Sequence, residues 1–215
     1  MTSRAGRGRR AQVLAVQREA YAAASFSPSA DSPDGFGDSV FVRPFLGGSH
    51  IVHDSLTARD VGWSAPMVAV VIDAVESPFY EVSKDVLGRR YTVSWLLPPT
   101  KRFGRLDKEL THLSVSGDPT AEVGAHVRRV LELGDPWWAS TQDLPGALRR
   151  LREQTPDLAQ ASPDAVAHRV VAEAVSGHPD EAVALLRRWR EADPDDDWLV
   201  PLWANAADAA LARLT

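Results

Sequence analysis

The stretch GDPTAEVGAHVRRVLELG, residues 117–134, is where the chain changes its hydrophobic rhythm. Asp118 is a good N-cap, Pro119 suits the first helical position, and Gly134 followed by Asp135-Pro136 reads as a stop. Between them Val123, Val127, Val130 and Leu131 recur at helical spacing, which predicts a helix over 119–133. The same punctuation continues downstream. Leu144, Ala147, Leu148 and Leu151 mark a short amphipathic helix that ends at Thr155-Pro156. Ser162-Pro163 opens another, with Val166, Val170, Val171 and Ala174 facing inward. Pro179 opens a third, whose Val183, Leu186 and Trp189 share a face, and residues 198–214 supply a closing helix after an aspartate-rich loop.

Upstream of Asp118 the period is two. Residues 39–46 and 49–57 are β-rich runs, and Gly47-Gly48 between them is able to take the positive φ of a two-residue hairpin turn. Pro44 cannot donate to a ladder, so the first of these strands belongs at an edge or carries a bulge. Met67 to Val75, bounded by Pro66 and Pro78, is the candidate central strand. Tyr91, Val93, Trp95 and Leu97 alternate cleanly, and residues 110–116 offer a further strand or helix. A first helix is expected at 11–24, where Leu14 and Tyr21 lie beside Val13, Val16 and Ala20. The fold expected is therefore α+β: a mostly antiparallel sheet of four to five strands, covered by the helices at 11–24 and 119–133, with a C-terminal helical extension. It carries the sharper expectation that no helix lies between Ser39 and Leu97.

The segment Ser176-Gly177-His178-Pro179-Asp180-Glu181-Ala182 resembles the turn between units of tetratricopeptide-type repeats, in which a glycine ends one helix and an alanine faces the next. The resemblance spans about one repeat, such stacks need roughly three, and no second copy recurs at a fixed period. It implies a single helical hairpin. The organisation expected is a disordered basic arm over 1–10, an α+β domain over 11–155, and a helical extension over 156–215 packed on the same body.

Composition narrows the function classes. Hydrophobic residues make up 44% and charged residues 25% of 215, which is ordinary for a globular protein and unlike a disordered chain. A formal net charge of -5 argues against a surface devoted to nucleic acid. Arg4, Arg7, Arg9 and Arg10 concentrate positive charge at one end, allowing weak nucleic-acid contacts by the arm at most. Arginine outweighs lysine, which occurs only at 84, 101 and 108, and alanine is abundant, a composition typical of GC-rich bacterial genomes. There is no cysteine, which removes disulfides, thiolate chemistry and Cys-ligated zinc together. No run approaches the ~20 apolar residues of a membrane span. A cytoplasmic protein without a membrane contact is expected.

No phosphate loop, nucleophile elbow, dinucleotide fingerprint or zinc ligand set is present, so no cofactor and no catalytic residue is expected. His50 and His53, three apart on a strand, point to opposite faces and do not converge on a metal, even with Asp54 beside them. A Gly47-Gly48 turn would instead pair Phe45 with His50, Arg43 with Val52 and Phe41 with Asp54. That register puts Arg43 diagonally near both His50 and Asp54, an arrangement suited to an anionic ligand or to a shifted histidine. An exposed Arg43–Asp54 pair, with His50 packing on Phe45, is the structural alternative. Trp137 and Trp138 are adjacent, so one of them is a candidate exposed anchor for a protein partner, and burial of both is the alternative. The function expected is a non-catalytic protein-protein interaction module of adaptor, regulator or toxin-neutralising type with an unidentified protein partner. The competing expectation is a small-molecule-binding protein or enzyme using Arg43, His50 and Asp54.

Overall fold

In the computed structural model the described residues are 4–29, 40–54, 56–57, 62–63, 66–86, 115, 117–192 and 199–214. The expected strand at 91–97, the strand or helix at 110–116 apart from Val115, and the acidic residues 193–197 lie outside them. The fold is α+β. Helix α1 spans Arg4–Ala23, and β1 (Ser27–Pro28), β2 (Val40–Phe45), β3 (Gly48–His53) and β6 (Met67–Ile72) form one antiparallel sheet in the order β1-β2-β3-β6. Two short strands, β4 (Leu56–Thr57) and β5 (Gly62–Trp63), pair with each other. Then come α2 (Asp73–Val86), α3 (Pro119–Thr141), α4 (Leu144–Gln154), α5 (Pro163–Val175), α6 (Pro179–Glu191) and α7 (Leu199–Leu214).

The chain divides into two compact units. One comprises residues 1–45, 49–69 and 97–139, and its core holds Val13, Tyr21, Phe26, Phe41, Val52, Val123, Val127 and Trp138. The other comprises 46–48, 70–96 and 140–215, where α2 packs on α5 and α7 and where α5 meets α4, α6 and α7. Its core includes Phe79, Leu151, Val170, Leu185 and Trp189. Helix α4 thus belongs to the same unit as the C-terminal helices.

Several expectations need correction. Arg4 to Arg10 lie in α1, and Arg9 donates from Nη2 to the carbonyls of Val115 at 2.5 Å and Gly117 at 3.3 Å. A helix, α2, does lie between Ser39 and Leu97. The apolar run from Met67 stops being a strand at Ile72, because Val75, Phe79 and Val82 continue it at helical spacing with all three side chains buried. Asp73 and Glu76 sit in the first turn of α2, where carboxylates complement the helix dipole, and Pro78 is accommodated inside the helix. Among the described strands β6 is at the edge of the sheet and β3 is inside it.

Helix α3 does not stop at Gly134 but runs through Pro136 to Thr141. The start is as the residues indicate: Asp118 Oδ1 accepts from Thr120 N–H at 3.0 Å, and Glu122 reaches back to accept from Gly117 N–H at 2.7 Å. The misread signal is the glycine. On a helix a long side chain leans back over the preceding turn, so the Trp138 ring lies over position 134, where a Cβ would come within 2.7 Å of Cζ3 and 2.8 Å of Cη2. Gly134 is there to make room for an indole.

The strand that carries Pro44, β2, lies between β1 and β3 and not at the sheet edge expected of it; Pro44 is tolerated because it falls past the end of the short β1. β1 pairs only Ser27 with Val42 and Pro28 with Phe41, so beyond Phe41 and Val42 that side of β2 has no β1 partner. The hairpin turn, however, is Leu46-Gly47, and only Gly47 has positive φ, at +87°. A single left-handed residue in the second turn position is the φ pattern of a type II turn, which demands one glycine where the primed turn demands two such residues. Gly48 is then free to begin β3, and it is buried there.

Candidate functional site

The one-residue displacement of the turn decides which polar side chains meet. With Leu46-Gly47 as the two-residue loop, Arg43 falls opposite His50 and Phe41 opposite Val52. Both pairings keep the same face of the hairpin, yet Asp54 is now four residues beyond Arg43's partner, about 14 Å along the strand at ~3.4 Å per residue. The structure brings Arg43 and His50 together and leaves Asp54 out.

Arg43 donates from Nε at 3.2 Å to His50 Nδ1, with Nη2 at 3.1 Å from the same nitrogen. Nη2 also donates to Asp135 Oδ1 at 3.1 Å. The guanidinium carbon lies 4.6 Å from the Phe26 ring centroid and 5.2 Å from that of Trp138, both within cation–π range. The His50 ring in turn stacks on Trp138 at 5.3 Å and 18°, and sits 4.8 Å from Phe45. Because a guanidinium has only donors, Nδ1 of His50 must be the lone-pair nitrogen and Nε2 carries the proton. Burial, reinforced by the Arg43 charge and only partly opposed by Asp135, lowers the His50 pKa to about 4. The imidazole is therefore neutral near pH 7 and serves as an acceptor.

Asp54 anchors a different cluster in the same unit. Its buried carboxylate accepts from Tyr21 Oη at 2.8 Å and Gln17 Nε2 at 3.0 Å, and it faces His126 Nε2 at 3.0 and 3.1 Å. Gln17 Nε2 also donates to the Asp54 carbonyl at 2.9 Å. Val13, Gln17 and Tyr21 form one buried i, i+4, i+8 stripe of α1, and His126 lies in the Val123–Val130 stripe of α3. Gln17 and His126 were not singled out in the sequence, although each occupies a position whose helical neighbours on both sides are apolar. Burial, helped by the charge and hydrogen bond of Asp54, raises the Tyr21 pKa well above 10, so the phenol stays a donor. With every member closed to solvent, this cluster is a structural hub.

Trp137 and Trp138 are both buried, and the Trp138 indole donates to the Ala69 carbonyl at 2.9 Å. Neither presents an exposed ring. Among the described residues no three His, Asp or Glu side chains converge as metal ligands, and no helix is long and apolar enough to cross a membrane.

The second unit carries surface of another kind. Ala182, Leu185, Leu186 and Trp189 are the buried stripe of α6, whereas Val183, expected on that inner face, is 51% exposed. It borders an open groove of about 570 Å³ between α6 and α7, floored by Leu186, Leu211 and Ala212. Arg190 spans the groove to Asp208 at 3.0 Å, and Arg187 lines it without an ion pair among the described residues. Compared with models of known protein families, with curated proteins and with solved structures, the chain matches none.

Proposed function

We propose that the chain is a non-catalytic protein-protein interaction module and that its α6/α7 groove receives a helical segment of a partner protein. The observation that carries this reading is the exposed Val183 at the edge of an apolar floor, with Arg187, which has no ion pair among the described residues, one turn further along the same helix face. A partner helix fits such a groove by laying an apolar i, i+3/i+4 edge on Leu186 and Leu211 and placing a carboxylate against Arg187. The Arg190–Asp208 pair is exposed on both sides, so opening it to admit a side chain costs little.

The test is affinity capture of the tagged full chain from its host, run in parallel with V183D and R187E. Both positions are exposed, so circular dichroism and melting curves should be unchanged. A stoichiometric protein held by the wild type, lost with V183D and weakened with R187E is the expected result. Equal capture by V183D, or no capture by the wild type, would overturn the reading.

A further inference from the structure

Two arginines of this chain are gripped in opposite ways. Arg152 delivers Nε and Nη2 to the two oxygens of Glu173, at 2.8 and 2.6 Å, and that carboxylate is fully buried, so the cation is neutralised within the fold. Arg43 gives Nε and Nη2 to a neutral imidazole instead. Its counter-charge is one oxygen of Asp135, a side chain 58% exposed. Nη1 makes no hydrogen bond among the described residues. The guanidinium is nonetheless held by Phe26 and Trp138 as well as by His50. The result is a rigid, partly exposed cation whose charge is left largely available.

We propose that Arg43 anchors a binding site for a small oxyanion, a carboxylate or phosphate group, and that Asp135 is the internal carboxylate it displaces. The Nη1/Nη2 edge of a guanidinium matches two oxygens of such an anion in parallel, and Asp135 engages that edge through a single oxygen. A ligand making both bonds outcompetes a one-point, water-exposed pair. The cluster holds a second N–H of the same kind. His50 is 93% buried, its Nδ1 is committed to Arg43, and its Nε2–H has no acceptor among the described residues. Buried donors left in that condition are uncommon in native folds. His50 turns Nδ1 to Arg43, so its Nε2–H lies on the other side of the ring and reports on the anion through Arg43, while the aromatic rings around the guanidinium lower the local dielectric that an incoming anion meets.

The experiment follows the Arg43 Nε–Hε and His50 Nε2 NMR resonances of the full chain during titration with sodium phosphate, sodium acetate, and sodium chloride at matched ionic strength. Saturable shifts of both resonances with phosphate or acetate, beyond those with chloride, are expected. Saturation with phosphate alone marks a phosphate site, and saturation with both marks general oxyanion recognition. D135N, at an exposed position, removes the internal competitor and should tighten binding by about fivefold, as for any ligand freed from a self-occupied state. R43K keeps the charge and loses the fork, and should reduce binding at least as strongly. Resonances that move no further than with chloride overturn the site, as do a D135N dissociation constant equal to the wild type's and an R43K protein that binds as well as the wild type.

Discussion

Removing the Asp54 carboxylate tests whether the buried cluster holds the first unit together. In D54A, Tyr21 Oη–H and His126 Nε2, now 2.8 and 3.0 Å from a carboxylate oxygen, keep their burial and lose their acceptor. Gln17 is less affected, since it retains the carbonyl of residue 54 at 2.9 Å. Each stranded buried donor costs about 1–3 kcal/mol, so two of them cost about 2–6 kcal/mol, and breaking a buried polar pair typically falls at about 3–5 kcal/mol. Against total stabilities of about 5–15 kcal/mol, the loss should be plain in urea unfolding as a lower midpoint at unchanged slope. A double-mutant cycle with Y21F isolates one bond: removing the donor first should shrink the D54A penalty by about 1 kcal/mol or more. A D54A cost below about 1 kcal/mol, or strict additivity with Y21F, would refute the reasoning.

Other perturbations give equally definite outcomes. G134A drives a methyl to within 2.7 Å of the Trp138 ring and should cost about 1–3 kcal/mol as overpacking, visible as altered near-ultraviolet circular dichroism. His50 has a folded pKa near 4 against 6.5 when unfolded, so the unfolded state binds more protons between those values and stability falls as pH drops through that window. At 1.36 kcal/mol per pKa unit the loss approaches about 3 kcal/mol near pH 4, and in H50F this part of the pH dependence should vanish. Glu173 shifts the other way relative to its charge: burial raises its pKa, but the Arg152 hydrogen bond and charge outweigh burial and hold it below the usual carboxylate range. Its contribution is present above that range and lost as pH falls through the folded pKa, and E173Q should cost about 1–3 kcal/mol at neutral pH, measured by thermal melting.

The alternation between Val40 and His53 and the capped stripes of α3 through α7 were legible because each element's period shows in the residues that make it. Helices α4 to α7 of the second unit were readable for that reason: Ser162-Pro163 and Pro179 mark helix starts without any long-range information. Helix α2 was legible in principle from Val75, Phe79 and Val82, but Pro78 and the preceding apolar run masked its period. Gly134 misled because a glycine that ends a helix and a glycine that clears space for a ring are the same letter. Val183 misled because steps of three along α6 drift around the cylinder, away from the buried Leu185 and Leu186.

The candidate sites divide along the same line. Residue chemistry alone put Arg43 and His50 on one face of a hairpin, since a period of two survives any even shift of register. Which carboxylate each cation meets depended on the fold. The turn at Leu46-Gly47 moved Arg43 opposite His50, and Asp135, 92 residues further along the chain, became its ion-pair partner while Asp54 turned to Tyr21, Gln17 and His126. Local periodicity determines secondary structure because it acts between neighbours. Partner choice among charged side chains follows from distances of a few ångströms between remote segments, and only packing sets those.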